Sequence, residues 1–600
     1  MKQTTLPHWD MTPIFPGLDS PEFEAGFQAG VAALDTLTTA FDANGIMLRE
    51  TPLPINTGTV ALFESILQQI NALGDQLHML DAYITAFTTT DSRNALAQAS
   101  SSRLEQQMLR FSVLNTRFTA WLGGMDIEAL IAASPVATAH AYALEKIAIQ
   151  ARHLMSPEEE ALAAQLRLTS SNAWYKLYEN FSSQIMIELE VKGAAKTLPM
   201  TAVRNLAYDA DRGTRKAAYE AELAGWKRNA VPIAAAINSL KGEMLTLSEK
   251  RGWASPLEVA LDNNNIDQGT LDAMLNTARE AFPELRRYLY AKARALGIPT
   301  LAWYDLFAPL YADSRPWDFG EARDFVLEQF GAYSPKMAGL ARRAFEEGWI
   351  DAEPRAGKRG GAFCMWVREG ESRVLSNFQP AYAGMATLAH ELGHAYHNLQ
   401  RSPCTFTQRR TPMTLAETAS TFCETVVREA ALAHADRREQ IAILEASLQH
   451  SIQVIVDITS RFLFEQGLFA QRTAREISVE ELCTLMSDAQ KQTYGDGLDP
   501  EALHPFMWAA KPHYYSSTFY NFPYMFGHLF SLGLYARYQQ DPDAFRENYD
   551  ALLTATGMAD AATLAGRFGI DIRTPEFWHG SLKLIFEDIN RFEALIAEGE

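Results

Sequence analysis

The sequence predicts a mainly α-helical protein with one small β element. Apolar residues recur at spacings of three and four through most of 21–195 and again after about 200, as on helices with one buried face. One composition break, at 354–378, is Gly-rich and then alternates as two short strands, Ala362–Val367 and Arg373–Phe378. Directly after it, His390-Glu391-Leu392-Gly393-His394 lies within a helical pattern. Met385, Leu388, Ala389, Leu392 and Tyr396 form its apolar stripe, and Pro380 upstream is a natural start.

In chain order, residues 1–20 read as an extended lead-in with Pro7, Pro13 and Pro16. Ser20-Pro21-Glu22 starts a helix, with Ser as cap and Pro at the first position. Pro52 and Pro54 break the pattern, and 57–90 and 101–123 are helical. Ser156-Pro157 opens a helix with acids in its first turn. Ile187–Val191 followed by Gly193 reads as a short hairpin. Helices follow over 215–250, 268–296 and 319–347. The approximate division is a helical region 1–195 and a catalytic region 196–600.

His390 and His394 stand four apart, which puts both imidazoles on one helix face where they can share a metal ion. Glu391 beside them is placed to take a proton from water activated there. This is the H-E-x-x-H pattern of zinc peptidases. Such a site needs a third protein ligand and an open position. Glu417, in Thr411–Glu424, is the first candidate. Glu417 and Glu424 are seven apart and would share one face of a second helix. Thr414-x-x-Glu417 also reads as a capping box. His397, one turn past His394, is the rival, but three ligands in a row along one short helix strain tetrahedral geometry.

At 600 residues, 47% hydrophobic and 21% charged, the chain is a folded protein. Its net charge of −20 argues against nucleic acid or anionic membrane as partner. Cys364, Cys404, Cys423 and Cys483 form no C-x-x-C pair. With no apolar leader in Met1–Asp10 and no uninterrupted apolar run of membrane-spanning length, the expectation is a cytoplasmic protein. No phosphate-loop motif is present.

Glu417-Thr-Ala-Ser-Thr-Phe-Cys-Glu424 after His390–His394, with the Trp9–Phe23 opening and His513–Gly527, resembles the thimet oligopeptidase-like metallopeptidases, most closely the oligoendopeptidase F branch. The resemblance spans Trp9 to about Gly527 and implies an elongated helical, zincin-like fold with a deep channel admitting short unfolded peptides. It implies one Zn²⁺ per chain on His390, His394 and Glu417, with Glu424 behind the ligands and Glu391 as general base. It also implies a substrate strand laid beside the hairpin, where Gly360, Gly361, Ala362 and Phe363 are the expected binding residues. His513 with Tyr524, or next Tyr520, would stabilise the oxyanion. Tyr515 is the weaker choice, and most other rings there are packing. Two other readings stay open. A helical binding protein with an accidental H-E-x-x-H would hold no metal. A dipeptidyl carboxypeptidase would need a cation near the substrate C-terminus, which the sequence does not locate.

Overall fold

Local signals set where the helices begin. The computed structural model describes residues 6–49, 51–311 and 315–598, so Met1–Thr5 of the opening segment lie outside it. Ser20 accepts from Phe23 N at 3.1 Å and starts the helix Pro21–Asn44. Ser156 and Glu159 form a capping box on Pro157–Arg167. Lys192-Gly193, with φ of 53° and 79°, turns the hairpin Met186–Val191/Ala194–Pro199. The fold is mainly helical, as expected, and the described residues form two small sheets, of two and three strands. Two expected helices are each divided. Residues 268–296 form Gln268–Glu280 and Phe282–Ala295, and 319–347 form Phe319–Tyr333 and Pro335–Glu346. Pro283 and Pro335 start the second member of each pair, because proline cannot continue the preceding ladder.

The chain forms two units, neither a single stretch. One comprises Met1–Leu154, Arg315–Ala430 and Tyr538–Phe568, the other Met155–Ser314, Ala431–Arg537 and Gly569–Glu600. The first unit holds an aromatic core including Phe23, Phe27, Phe63, Tyr83 and Trp121, with Trp9 and Phe15 of the lead-in packed on it. Its sheet places Glu371–Leu375 between Ile350–Asp351, parallel, and Phe363–Arg368, antiparallel. The strands are offset from the expected 362–367 and 373–378. Residues 376–378 leave the hairpin, and Ser376 N and Phe378 N bond to Asp351 O and Ala352 O instead. Phe363–Arg368 is therefore an edge strand.

The second unit is built around Arg212–Lys250 and the continuous helix Arg437–Arg472, which includes a π turn at Gln453–Asp457. The latter holds no uninterrupted apolar run of membrane-spanning length. By length and composition it could cross a membrane, with mean hydropathy 1.3 over its best window. Yet 67% of that window is buried within the fold, and Leu444, Leu448, Ile455 and Phe462 are core residues. Its apolar character is that of a central helix.

Candidate metal centre

The H-E-x-x-H segment lies on the helix Tyr382–Gln400, capped by Ala381, one residue past the expected proline start. Met385, Leu388, Ala389, Leu392 and Tyr396 are buried, as the stripe predicts. This helix packs on both hairpin strands and on Phe319–Tyr333 and Pro542–Thr554. Tyr396 donates to Asp550 Oδ1 at 2.6 Å, which fixes its rotation about its own axis. The opposite face carries His390 and His394, their ring centroids 5.0 Å apart.

Glu417 is not on the same helix as Glu424. Met413–Ala416 ends at Glu417, with φ −88° and ψ 3°, and a new helix runs Thr418–His434. The break also removes the capping box: Pro412 occupies the cap position, without a side-chain bond. The Glu417 carboxylate turns to the imidazoles instead. Its Oε2 lies 3.3 Å from His390 Nε2 and 3.3 Å from His394 Nε2. Ser420 Oγ donates to the same oxygen at 2.6 Å. Glu424 Oε2 accepts from His390 Nδ1 at 3.1 Å. His397 points elsewhere, its Nε2 2.8 Å from Thr556 Oγ1 in a buried site.

The donor atoms of His390, His394 and Glu417 all lie within 4.8 Å of one another. Two imidazole nitrogens and one carboxylate oxygen at that spacing fit a single metal ion of the zinc type. Electrostatics agree. Burial alone would strip the proton from His390, but Glu417 and Glu424 outweigh it and hold the imidazole well above its ordinary value. Burial would raise Glu417, yet its contacts with both imidazoles hold it far below the usual carboxylate range. That mutual stabilisation is what a cation would replace. Glu391 differs: it is 5% exposed and its Oε2 has no hydrogen-bond partner. Burial raises its carboxyl, opposed by the two imidazoles.

Two participants were not anticipated. Ser420 was hidden in the run after Glu417, where the i, i+3 spacing alone marks it. Gly393 occupies a variable position of the motif. A Cβ there would stand 2.6 Å from Ser420 Cα and 2.7 Å from Ala419 O. Only glycine lets the Thr418 helix approach this closely, and that approach brings up Glu417. A glycine inside a helix is costly unless it does such work. Gly393→Ala should therefore destabilise by about 1–3 kcal/mol and weaken metal binding. Gly339→Ala, where a Cβ meets nothing within 4 Å, should be neutral or stabilising by about 0.5–1 kcal/mol. Thermal denaturation of both variants with metal titration checks the contrast.

Among the expected substrate residues, Gly360 and Gly361 are exposed, and Ala362 and Phe363 are half-buried at the start of the edge strand. Asn377 Nδ2 donates to Arg359 O and Gly361 O at 2.9 and 2.8 Å, pinning the loop. Lys358 is turned inward, its Nζ bonded to Asp351 O, Glu353 O and Ser376 O.

In the second unit, His513, Tyr520 and Tyr524 form one half-buried group. The His513 and Tyr520 rings are 4.5 Å apart, and Tyr524 OH donates to Tyr520 OH at 3.3 Å. Tyr515 is core, stacked on Tyr178 at 3.6 Å and bonded to Trp508 O. His528 is buried against Ser451, where it packs. Asn521 Oδ1 accepts from Arg461 and from His513 Nδ1. Burial lowers the His513 pKa, with the Asn521 bond opposing.

Residues 205–584 match peptidase family M3, and residues 122–186 match the family described as oligopeptidase F. An oligoendopeptidase F homolog of Lactococcus lactis subsp. lactis is 23% identical over 553 residues, covering 89% of this chain and 90% of that one. The oligopeptidase PepF of Bacillus subtilis is 24% identical over 469 residues, covering 76% and 69%. An oligoendopeptidase-F structure from Enterococcus faecium superposes with TM-score 0.70 at 19% identity, covering 96% of this chain and 99% of that one. A Chlamydophila abortus structure superposes with TM-score 0.81 at 22% identity, covering 98% of each. With well over half its length matching the family and a His-His-Glu group suited to a metal, the chain belongs to peptidase family M3 and hydrolyses peptide bonds.

Proposed function

We propose that this chain is a zinc-dependent oligoendopeptidase that cleaves internal bonds of short unstructured peptides, with one zinc held by His390, His394 and Glu417. The observation that carries it is Glu417 Oε2 at 3.3 Å from the Nε2 of both histidines. Bound there, zinc would acidify water and polarise the scissile carbonyl. Glu391 takes the proton of the attacking water and passes it to the leaving amine. Burial raises its carboxyl toward the working pH, which suits that exchange. Glu424 accepts the His390 Nδ1 proton and so leaves Nε2 free as a ligand atom.

The edge of Phe363–Arg368 suits a substrate strand added by main-chain hydrogen bonds. A Cβ at Gly360 or Gly361 would meet nothing within 4 Å, so backbone can approach there. For His513, Tyr520 and Tyr524 we propose donation to the tetrahedral oxyanion. His513 Nδ1 lies 3.3 Å from Asn521 Oδ1, so Nε2 donates to the oxyanion only from the protonated ring, which burial disfavours and the Asn521 bond favours. The tyrosine hydroxyls are then the stronger donors. Phe at the operative position, Tyr520 or Tyr524, should cut kcat by about 10²–10³-fold with little change in KM. Equal, small losses for both variants in steady-state kinetics would remove the tyrosines from the mechanism.

The deciding experiment is metal analysis with cleavage of a short peptide blocked at both ends. About one zinc per chain is expected, with internal cleavage lost on chelation and restored by zinc. Folded, zinc-supplied protein that neither binds zinc nor cleaves would refute the proposal. Cleavage restricted to peptides with a free C-terminus would favour a carboxydipeptidase.

A further inference from the structure

The second unit contains a cavity of about 270 Å³, formed by residues 201–222, the Trp303–Phe307 turn, Gln453 and Lys511. It lies just under the size range of drug-binding pockets. One wall is aromatic: the rings of Tyr208 and Phe307 lie 5.1 Å apart, and Tyr304 lines the cavity beside them.

Its charges do not balance. Arg215 is paired with Asp305, which Arg212 also holds. Arg204 Nε contacts Glu222 Oε1 at 3.0 Å, and the same carboxylate takes Trp226 Nε1 at 3.0 Å and His504 at 3.1 Å. Asp457, beyond the lining, is paired with Arg461. Each nearby carboxylate thus has its cation. The Lys511 ammonium is left over, with no hydrogen-bond or ion-pair partner among the described residues. Burial, with Arg461 and Arg204 nearby and Asp457 and Glu222 opposing, lowers the Lys511 pKa to about 7. Lys511 is half-buried, and a partly desolvated cation without a partner is costly, a cost that an incoming anion relieves.

We propose that this cavity is a carboxylate subsite that takes the free C-terminal residue of a peptide, its carboxylate on Lys511 and Arg204 and its side chain against the aromatic wall. The size admits about one residue, and the mix of surplus positive charge with rings suits an apolar terminal residue better than a bare inorganic anion. The assignment deepens the peptidase reading and rests on peptides being the ligands, but it does not depend on the metal centre.

The test is calorimetric binding of N-acetyl-phenylalanine and of its C-terminal amide to the full chain. Neither has an internal peptide bond between residues, so no turnover intrudes. Wild type should bind the acid at least tenfold more tightly than the amide. Lys511→Met should abolish that difference, and Lys511→Arg should keep most of it. Because Lys511 has no partner to lose, Lys511→Met should fold, which an unchanged melting temperature verifies. Glu417→Ala and chelated wild type should retain the preference for the acid, whatever becomes of the zinc proposal. Loss of the preference on chelation while Lys511→Met keeps it would put the carboxylate on the metal and overturn the assignment. So would equal binding of acid and amide, or inorganic phosphate competing as well as the acid.

Discussion

Glu391→Gln should keep wild-type zinc content and lose about 10²–10⁴-fold in kcat. Glutamine matches the shape of glutamate but cannot accept and return a proton. Its charge acts mainly on the neighbouring imidazoles and on the Cys364 thiol. Its Oε2 has no hydrogen-bond partner, and burial already disfavours its ionised form. The substitution should therefore leave stability unchanged or raise it slightly. Elemental analysis, thermal denaturation and kinetics on one preparation separate the roles. A normal kcat would exclude Glu391 as the base, and lost zinc would make it a ligand instead.

Glu417→Ala and His397→Ala should fail in opposite ways. Removing Glu417 deletes the one carboxylate oxygen that, among the described residues, faces both imidazoles. Zinc binding and cleavage should both go, while the fold persists, because Ser420 Oγ can still donate to the Glu417 backbone carbonyl at 3.1 Å and Thr418–His434 keeps its own ladder. His397 is 3% exposed and bonded to Thr556, and burial lowers its pKa well below the ordinary value. His397→Ala should leave a cavity, costing about 2–4 kcal/mol, with zinc retained, while Thr556 Oγ1 keeps Leu553 O and Thr411 Oγ1 as partners. Metal content of the two folded variants decides. Zinc kept without Glu417 and lost without His397 would move the third ligand to His397.

The sequence by itself determined what depends on near neighbours along the chain. The four-residue spacing of His390 and His394 puts both rings on one face of any α-helix. Ser20-Pro21, Ser156–Glu159 and Lys192-Gly193 act through hydrogen bonds and dihedrals confined to a few residues, so their helix starts and turn were legible. Pro283 and Pro335 carry the same kind of signal, but apolar periodicity runs on across them and masks it. Only the tertiary structure decided what depends on segments far apart. Glu417 reaches the imidazoles because the chain breaks at that residue and because Gly393 admits Ser420 at backbone distance. Neither is a periodic feature. His397 looks like a ligand by spacing but is claimed by Thr556, 159 residues away. The apolar run within Arg437–Arg472 has membrane-like composition, yet it fills a protein core, because composition records hydrophobicity and not what covers it. The unpaired Lys511 shows the same limit. A lysine's partners are set by which carboxylates the fold brings near, and here every neighbouring one is already paired.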